Sequence, residues 1–213
     1  FKYNANATTK TKEALAALIT TAITNFSSSD LEVFDTVFRY SPFVTLIDEV
    51  DTAILSNITN IKISKTFKPT LASALKYTIT FSNPFYNPHS GHAARTTGTT
   101  AGGILSSTGF TLTDGGNTYY LEDDGAGLVN AYYISGASKV YEAASVGTIN
   151  YDTGEIILTK MNFDSVGNVD GADSTSIRLT VQPASNDVVP VRNQVLQIDL
   201  TNLSVAGTAD TIA

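Results

Sequence analysis

The chain has 213 residues and a net charge of −7, and 42% of its residues are hydrophobic although only 15% are charged. This length suits one large domain or two small ones, and the 9% of aromatic residues argues against a disordered chain. The acidic balance argues against nucleic acid or an anionic membrane as partner, and no apolar run is long enough to span a bilayer.

The chain contains no cysteine, which excludes a disulfide framework, a thiol nucleophile and a thiolate zinc site. The low content of charged residues is offset by uncharged polar residues, with 30 threonines and 19 serines. The first residue is Phe1, so we expect the chain to be cut from a longer one.

The first predicted elements are a helix, a strand and a second helix. Apolar side chains recur at steps of three and four over residues 15–26, which places them on one helical face. A mixed alternation over residues 31–40 predicts a β-strand. Ser41 and Pro42 predict the start of a helix over residues 41–54, because serine caps free amides and proline suits the first helical turn.

The following segments read as β-structure. Apolar runs over residues 58–67 and 75–81 predict two adjacent antiparallel strands joined by a turn near Pro69. From residue 104 to residue 179 turn signals recur between short β-type runs, and the clearest hairpin covers residues 149–159. Two further strands are predicted over residues 176–181 and 191–199.

Together these elements predict an α+β fold, in which a mixed helix and sheet core carries an inserted all-β module of short hairpins. We expect the core to span residues 1–84 and the inserted module residues 85–175. Strands over residues 176–200 would return to the core, and residues 201–213 would form an extended tail.

No group of residues in the sequence points to catalysis or to a metal. His89 and His92 lie three residues apart in a loop rich in proline and glycine, which favours a polar surface loop over a metal pair. Asp164, Asp170 and Asp173 do not complete a calcium-binding loop. With no nucleophile motif either, the sequence predicts a protein that is not an enzyme and has no cofactor and no metal site.

Two arginines lie in apolar surroundings. Arg39 follows Val37 and Phe38, and Arg192 follows Val191. Such arginines tend to be paired or to lie at contacts. An internal salt bridge and a contact between subunits remain equally open, and the candidate acidic partners are Asp48, Glu49 and Asp199.

Three stretches resemble one protein family. LEVFDTVFRYSPFV (31–44), IDEVDTAILSNITNIKISKTFKP (47–69) and VVPVRNQVLQIDL (188–200) are similar to baseplate wedge proteins of contractile-tailed phages related to the T-even group. GTINYDTGEIIL (147–158) also resembles the β region inserted in such subunits. These wedge proteins belong to the broader baseplate-J-like proteins, and the resemblance covers about residues 10–200.

The resemblance implies a structural subunit of the virion, located in the tail baseplate and assembled in the host cytoplasm. Such subunits pair with copies of themselves as homodimers, contact other wedge proteins and join neighbouring wedges into an inner ring that rearranges on tail contraction. The contact regions are placed on the second helix and on the segment after Val191. The expected interface residues are Arg39, Phe43, Asp48, Glu49, Arg192, Asn193 and Gln194.

An alternative function is a carbohydrate- or calcium-binding module of the adhesin type. Adjacent tyrosines in a strand point to opposite faces of a sheet, so one of each pair is expected to be exposed and able to stack on sugars. This site would combine tyrosines with acidic residues of one hairpin end: Tyr119, Tyr120, Tyr132, Tyr133, Asp123 and Asp124.

Overall fold

The computed structural model describes residues 1–89, 103–113, 115–142, 145–167, 175–192 and 194–211. The chain divides into two compact units. Residues 1–60 and 186–213 form the first, here named the terminal unit, and residues 61–185 form the second, the central unit. Each unit is described by itself below.

The described part of the chain contains two α-helices. Helix α1 spans Lys12–Phe26, a π-helical turn follows over Ser27–Leu31, and helix α2 spans Tyr40–Asp48. Neither helix combines the length and the apolar character that a membrane-crossing helix requires. The strands in chain order are β1 (Lys2–Asn4), β2 (Ile54–Ser56), β3 (Ile63–Phe67), β4 (Ala74–Thr80), β5 (Ser106–Ser107), β6 (Phe110–Leu112), β7 (Tyr119–Asp123), β8 (Leu128–Ser135), β9 (Ser138–Tyr141), β10 (Gly147–Asn150), β11 (Glu155–Val166), β12 (Ile177–Val181) and β13 (Thr208–Asp210).

Helix α1 confirms the first predicted helix. Leu15, Ile19 and Ile23 are buried along one face, as their spacing requires. The Thr11 side chain accepts a hydrogen bond from the Ala14 N–H at 3.2 Å, so a threonine caps the free amides of the first turn.

The predicted strand over residues 31–40 is wrong. The π-helical turn and a series of bends occupy this segment, and only Phe38 takes part in a β-bridge, an isolated one to Val188. A loop that covers a small core also buries some of its apolar residues, so the apolar positions here did not require a sheet.

The second predicted helix is confirmed, but with different ends. Helix α2 begins at Tyr40, with Arg39 rather than Ser41 in the capping position, and it ends at Asp48 rather than near Ile54. Phe43 and Ile47 are buried on its inner face.

The sheet of the terminal unit joins residues from both ends of the chain. β1 lies in its centre, antiparallel to β2 and parallel to β13. The segment expected to be an extended tail therefore contributes a paired strand. No strand is assigned to the described residues of the segment 191–199, so that predicted strand is wrong.

The central unit is built around a seven-stranded sheet that closes on itself. The long strand β11 pairs with β4, β6 and β10. β10 also pairs with β8, while β7 lies between β6 and β8, so the ring of pairings is complete. β9 extends the sheet beyond β8, and a separate three-stranded sheet has the order β3-β12-β5.

The closed sheet surrounds the main hydrophobic core of the central unit. Its largest fully buried side chains include Phe110, Phe163, Leu121, Ile156 and Leu158. Aromatic rings meet edge to face inside it, as between Phe110 and Phe163 with centroids 5.1 Å apart.

The predicted hairpin over residues 149–159 is confirmed. β10 and β11 pair antiparallel on either side of the turn that contains Gly154, whose φ is +67°. The pairing predicted between the strands on either side of Pro69 is wrong, because β3 pairs with β12 whereas β4 pairs with β11.

The predicted fold class, an α+β core of mixed helix and sheet, is wrong. The described part of the protein is mostly β, with 36% of its residues in strands and 16% in helices, and its dominant feature is the closed seven-stranded sheet. The sequence showed the helices clearly because their periodicity is local, whereas sheet closure depends on pairings between distant segments. The four-part division with an insertion over residues 85–175 stays a prediction.

Candidate subunit interface

Three phenylalanine rings hold α2 in place within the terminal unit. The Phe43 ring lies 5.2 Å from the Phe26 ring and 5.1 Å from the Phe38 ring, measured between centroids. Phe43 is only 4% exposed. Phe43 therefore lies on the buried face of α2. This predicted interface residue supports the helix from the core.

The start of α2 is capped by a residue far away in the sequence. One carboxylate oxygen of Asp187 accepts the Tyr40 N–H at 2.9 Å, and the other pairs with an Arg39 guanidinium nitrogen at 2.7 Å. The Tyr40 N–H, and after it the Arg39 side chain, hold the pKa of the Asp187 carboxyl below its ordinary value.

The first of the two possibilities for Arg39, an internal salt bridge, is present in the structure. The arginine has an internal partner, but the partner is Asp187 and not Asp48, Glu49 or Asp199. The Arg39 side chain remains 64% exposed, so it can still reach a further carboxylate.

The end of α2 is held by Asn57. Its side-chain amide donates to the Val44 carbonyl at 3.1 Å and to an Asp48 carboxylate oxygen at 2.7 Å. The Asn57 amide thereby supplies a donor to one of the last carbonyls of the helix. Glu49 follows at the end of α2 and is exposed.

An open groove lies at the surface between α1 and α2. We name it the α1–α2 groove. Its lining is mostly small or apolar, and its one charged side chain is Glu49 at the end of α2. The lining residues are Ala22, Ser41, Pro42, Thr45, Leu46, Glu49 and Val50.

The second predicted contact region lies in the returning segment of the terminal unit. Arg192 is exposed in a turn, and the Gln194 N–H donates to the Val191 carbonyl at 2.9 Å. Within the described residues no ion pair joins Arg192 to an acidic side chain. Asn193 lies outside the described residues.

The histidines and aspartates that the sequence analysis weighed as metal ligands and did not favour can be placed only in part. In the part of the chain that the structure describes, no three histidine or acidic side chains are grouped so that they could hold a metal ion. His89 donates its backbone N–H to the Asn87 side chain at 3.0 Å. His92, Asp170 and Asp173 lie outside the described residues.

The tyrosines of the alternative function do not form one exposed surface. Tyr119 is 5% exposed and packs in the core against Tyr133, whereas Tyr120 and Tyr132 lie on the opposite face of the sheet. The Lys139 ammonium lies 4.3 Å from the centre of the Tyr132 ring and covers one of its faces. A sugar could therefore not stack on that face without displacing the lysine.

The buried position of Asp123 also does not fit the alternative function. The residue is 1% exposed, and its carboxylate accepts hydrogen bonds from the backbone N–H groups of Ile104 and Leu105 and from the Tyr151 hydroxyl. Its oxygens are used inside the central unit, where they join separate segments of the chain.

Part of the chain matches a known protein family. Residues 1–66 match the family described as baseplate structural protein gp6, C-terminal domain III. The matched segment contains α1, α2, β1 and β2 of the terminal unit and continues into β3. No curated protein matches the chain. The family match supports a structural role in the baseplate of a phage tail.

Proposed function

We propose that this chain is a structural subunit of a baseplate wedge in a contractile-tailed phage. It associates with copies of itself, joins neighbouring wedges into the inner baseplate ring and takes part in the rearrangement of that ring on contraction. The observation that carries the proposal is the family match over residues 1–66. The relation to baseplate-J-like proteins and assembly in the host cytoplasm stay predictions.

The partners in this proposal are a second copy of the chain and other baseplate wedge proteins. The α1–α2 groove lies within the matched segment, so the part of the chain that resembles a baseplate domain also carries an open apolar surface. The net charge of −7 supports the expectation that neither nucleic acid nor a membrane is a partner.

We assign the interface to two regions. The first is α2, with Arg39 at its start, Asp48 and Glu49 at its end and Phe43 supporting it from the core. The second is the part of the returning segment with the sequence Arg192, Asn193 and Gln194. Exposure of Arg39 and Glu49 supports their part in the first region.

The family to which residues 1–66 are similar is structural, which suggests that the chain is not an enzyme. The function would then lie in the contacts that the chain makes with other subunits. Its variants should change assembly without changing the turnover of any small molecule.

Light scattering coupled to size-exclusion chromatography tests self-association of the chain. We expect a dimer whose fraction rises with concentration. Antibody labelling of intact phage particles, viewed by electron microscopy, tests the location. Label at the tail baseplate is expected, while label on the capsid or on the tail tube alone would contradict the proposal.

A further inference from the structure

The α1–α2 groove leaves a stripe of small, apolar and polar side chains along α2 partly uncovered. Pro42, Thr45, Leu46 and Glu49 recur at steps of three and four, so they lie along one face of the helix. Across the groove Ala22 lies one turn after Leu18, which is 41% exposed. This face is continuous from the first turn of α2 to its end, and it is adjacent to the face that carries Phe43 and Ile47.

The charges at the two ends of α2 are opposite. Arg39 precedes the helix and Glu49 follows it, and both are exposed. Within the described residues Glu49 has no ion-pair partner, while the Arg39 guanidinium uses one of its nitrogens on Asp187. A second α2 running antiparallel to the first would therefore place each Glu49 beside an Arg39 whose remaining guanidinium nitrogens can still donate.

We propose that the groove is occupied by α2 of a second copy of this chain, packed antiparallel across a two-fold axis. Arg39 of each copy then faces Glu49 of the other, and Leu46 and Pro42 of both copies cover the groove. Antiparallel packing also places the positive start of each helix beside the negative end of the other. This inference rests on the proposed self-association and specifies the surface that mediates it.

A two-fold axis brings one residue of each copy beside its own counterpart. Thr45 is the best placed, because it is exposed and lies near the middle of the stripe from Pro42 to Glu49. The native chain has no cysteine, so a single introduced thiol reports only on its own surroundings. In the variant Thr45→Cys we expect oxidation to give a disulfide-linked dimer that reduction reverses, because the two thiols lie within bonding reach.

Thr20→Cys is the matched control. Thr20 and Thr45 are both exposed helical threonines, and each donates its hydroxyl to the carbonyl four residues earlier, at 2.9 and 3.1 Å. Thr20 lies two residues before Ala22, so it points away from the groove-lining side of α1. We expect at least about a tenfold higher cross-linked fraction for Thr45→Cys than for Thr20→Cys under the same mild oxidation.

Substitution of Glu49 tests the charge pairing without cross-linking. The dimer association constant should fall in the order Glu, Gln, Arg at position 49, with a loss of about tenfold for Glu49→Arg, because that arginine faces Arg39 of the second copy. A positive side chain at the end of a helix favours the helix itself, so unfolding would not explain the loss. Asp152→Arg, in an exposed turn of the central unit, makes the same change of net charge and should leave association unchanged.

The outcomes separate this surface from self-association in general. If the unmodified chain is a dimer, but the two cysteine variants cross-link equally and Glu49→Arg associates normally, the antiparallel α2 contact is wrong and self-association stands. If the unmodified chain stays monomeric at high micromolar concentration, both the antiparallel α2 contact and the proposed self-association are wrong. Preferential cross-linking at Thr45 together with the graded effect at Glu49 supports the contact.

Discussion

Asp123 shows how a single buried residue holds separate segments together. Its carboxylate oxygens lie 2.6 and 2.7 Å from the N–H nitrogens of Ile104 and Leu105, and 2.6 Å from the Tyr151 hydroxyl oxygen. Burial, and after it the hydrogen bond to Asp123, raises the pKa of the Tyr151 hydroxyl, so this hydroxyl stays protonated and donates. The sequence alone suggested an exposed acidic hairpin end, because burial of one carboxylate depends on donors from distant segments.

Replacement of Asp123 by alanine should destabilise the central unit strongly. The variant Asp123→Ala leaves several buried donors without an acceptor, so we expect a loss of about 3 kcal/mol in the free energy of unfolding in urea. Tyr151→Phe removes only one of these hydrogen bonds and should cost about 1 kcal/mol. Equal stability of Asp123→Ala and the unmodified chain would show that the carboxylate is not needed.

At the scale of elements, the turn between β10 and β11 requires glycine. Gly154 has a φ of +67°, and a Cβ atom there would lie 2.0 Å from the Asn83 carbonyl oxygen. Gly136, in the turn between β8 and β9, has a similar φ of +61°, but a Cβ atom there would have no neighbour within 4 Å. Alanine at Gly136 would therefore introduce backbone strain alone, whereas alanine at Gly154 would introduce backbone strain and a steric clash.

Alanine at these two glycines should have unequal effects on unfolding in urea. Gly136→Ala introduces only the cost of a positive φ, about 1 kcal/mol. Gly154→Ala adds the clash with the Asn83 backbone. It should lose clearly more free energy of unfolding, because the turn between β10 and β11 must move away from Asn83. If both variants lose the same stability, the close approach at Gly154 carries no cost.

The remote cap of α2 predicts a dependence on pH. The folded pKa of Asp187 is below the unfolded value of about 3.9, so its contribution to stability is complete above that value and is lost as pH falls through the folded pKa. Asp187→Asn keeps an oxygen for the Tyr40 N–H but has no charge. We expect its thermal midpoint to lie slightly below that of the unmodified chain at neutral pH and to approach it in acid.

Circular dichroism at a series of pH values measures this difference. Other carboxyls with lowered pKa values, such as that of Asp51, are common to both proteins and cancel in the comparison. A difference between the two midpoints that stays constant down to low pH would contradict a role for the Asp187 charge.

Elements differ in how far the sequence could predict them. Residues 15–26 and the hairpin over residues 149–159 were predicted because their signals, a helical repeat and a turn with glycine, lie within one short window. The cap of α2 could not be predicted, since Asp187 lies far along the chain from Tyr40. The interface residues on α2 were suggested by family resemblance, while the groove beside them emerged only from the packing of α1.

At the scale of the whole molecule, the two units differ in how the chain builds them. The central unit is continuous over residues 61–185, and among the described residues its main core contains none from outside that range. The terminal unit needs both chain segments, because β1 pairs with β13 and the Asp187 carboxylate caps α2.

A fragment of residues 61–185 should therefore fold by itself. We expect it to unfold cooperatively, with a β-type circular dichroism spectrum, because its apolar core is complete. A fragment of residues 1–60 lacks β13 and the remote cap, and it should not show a cooperative transition. If residues 61–185 prove unfolded in isolation, the central unit is not independent.

The parallel pairing of β1 with β13 also sets an order of events during translation. Residues 2–4 leave the ribosome long before their partners at residues 208–210 exist. At about 5–20 residues per second, the delay is on the order of ten seconds or more, which is ample for the intervening β segment to fold. Throughout this interval β1 has no β13 to pair with and α2 has no Asp187 cap, so this is when chaperone binding would protect the chain most.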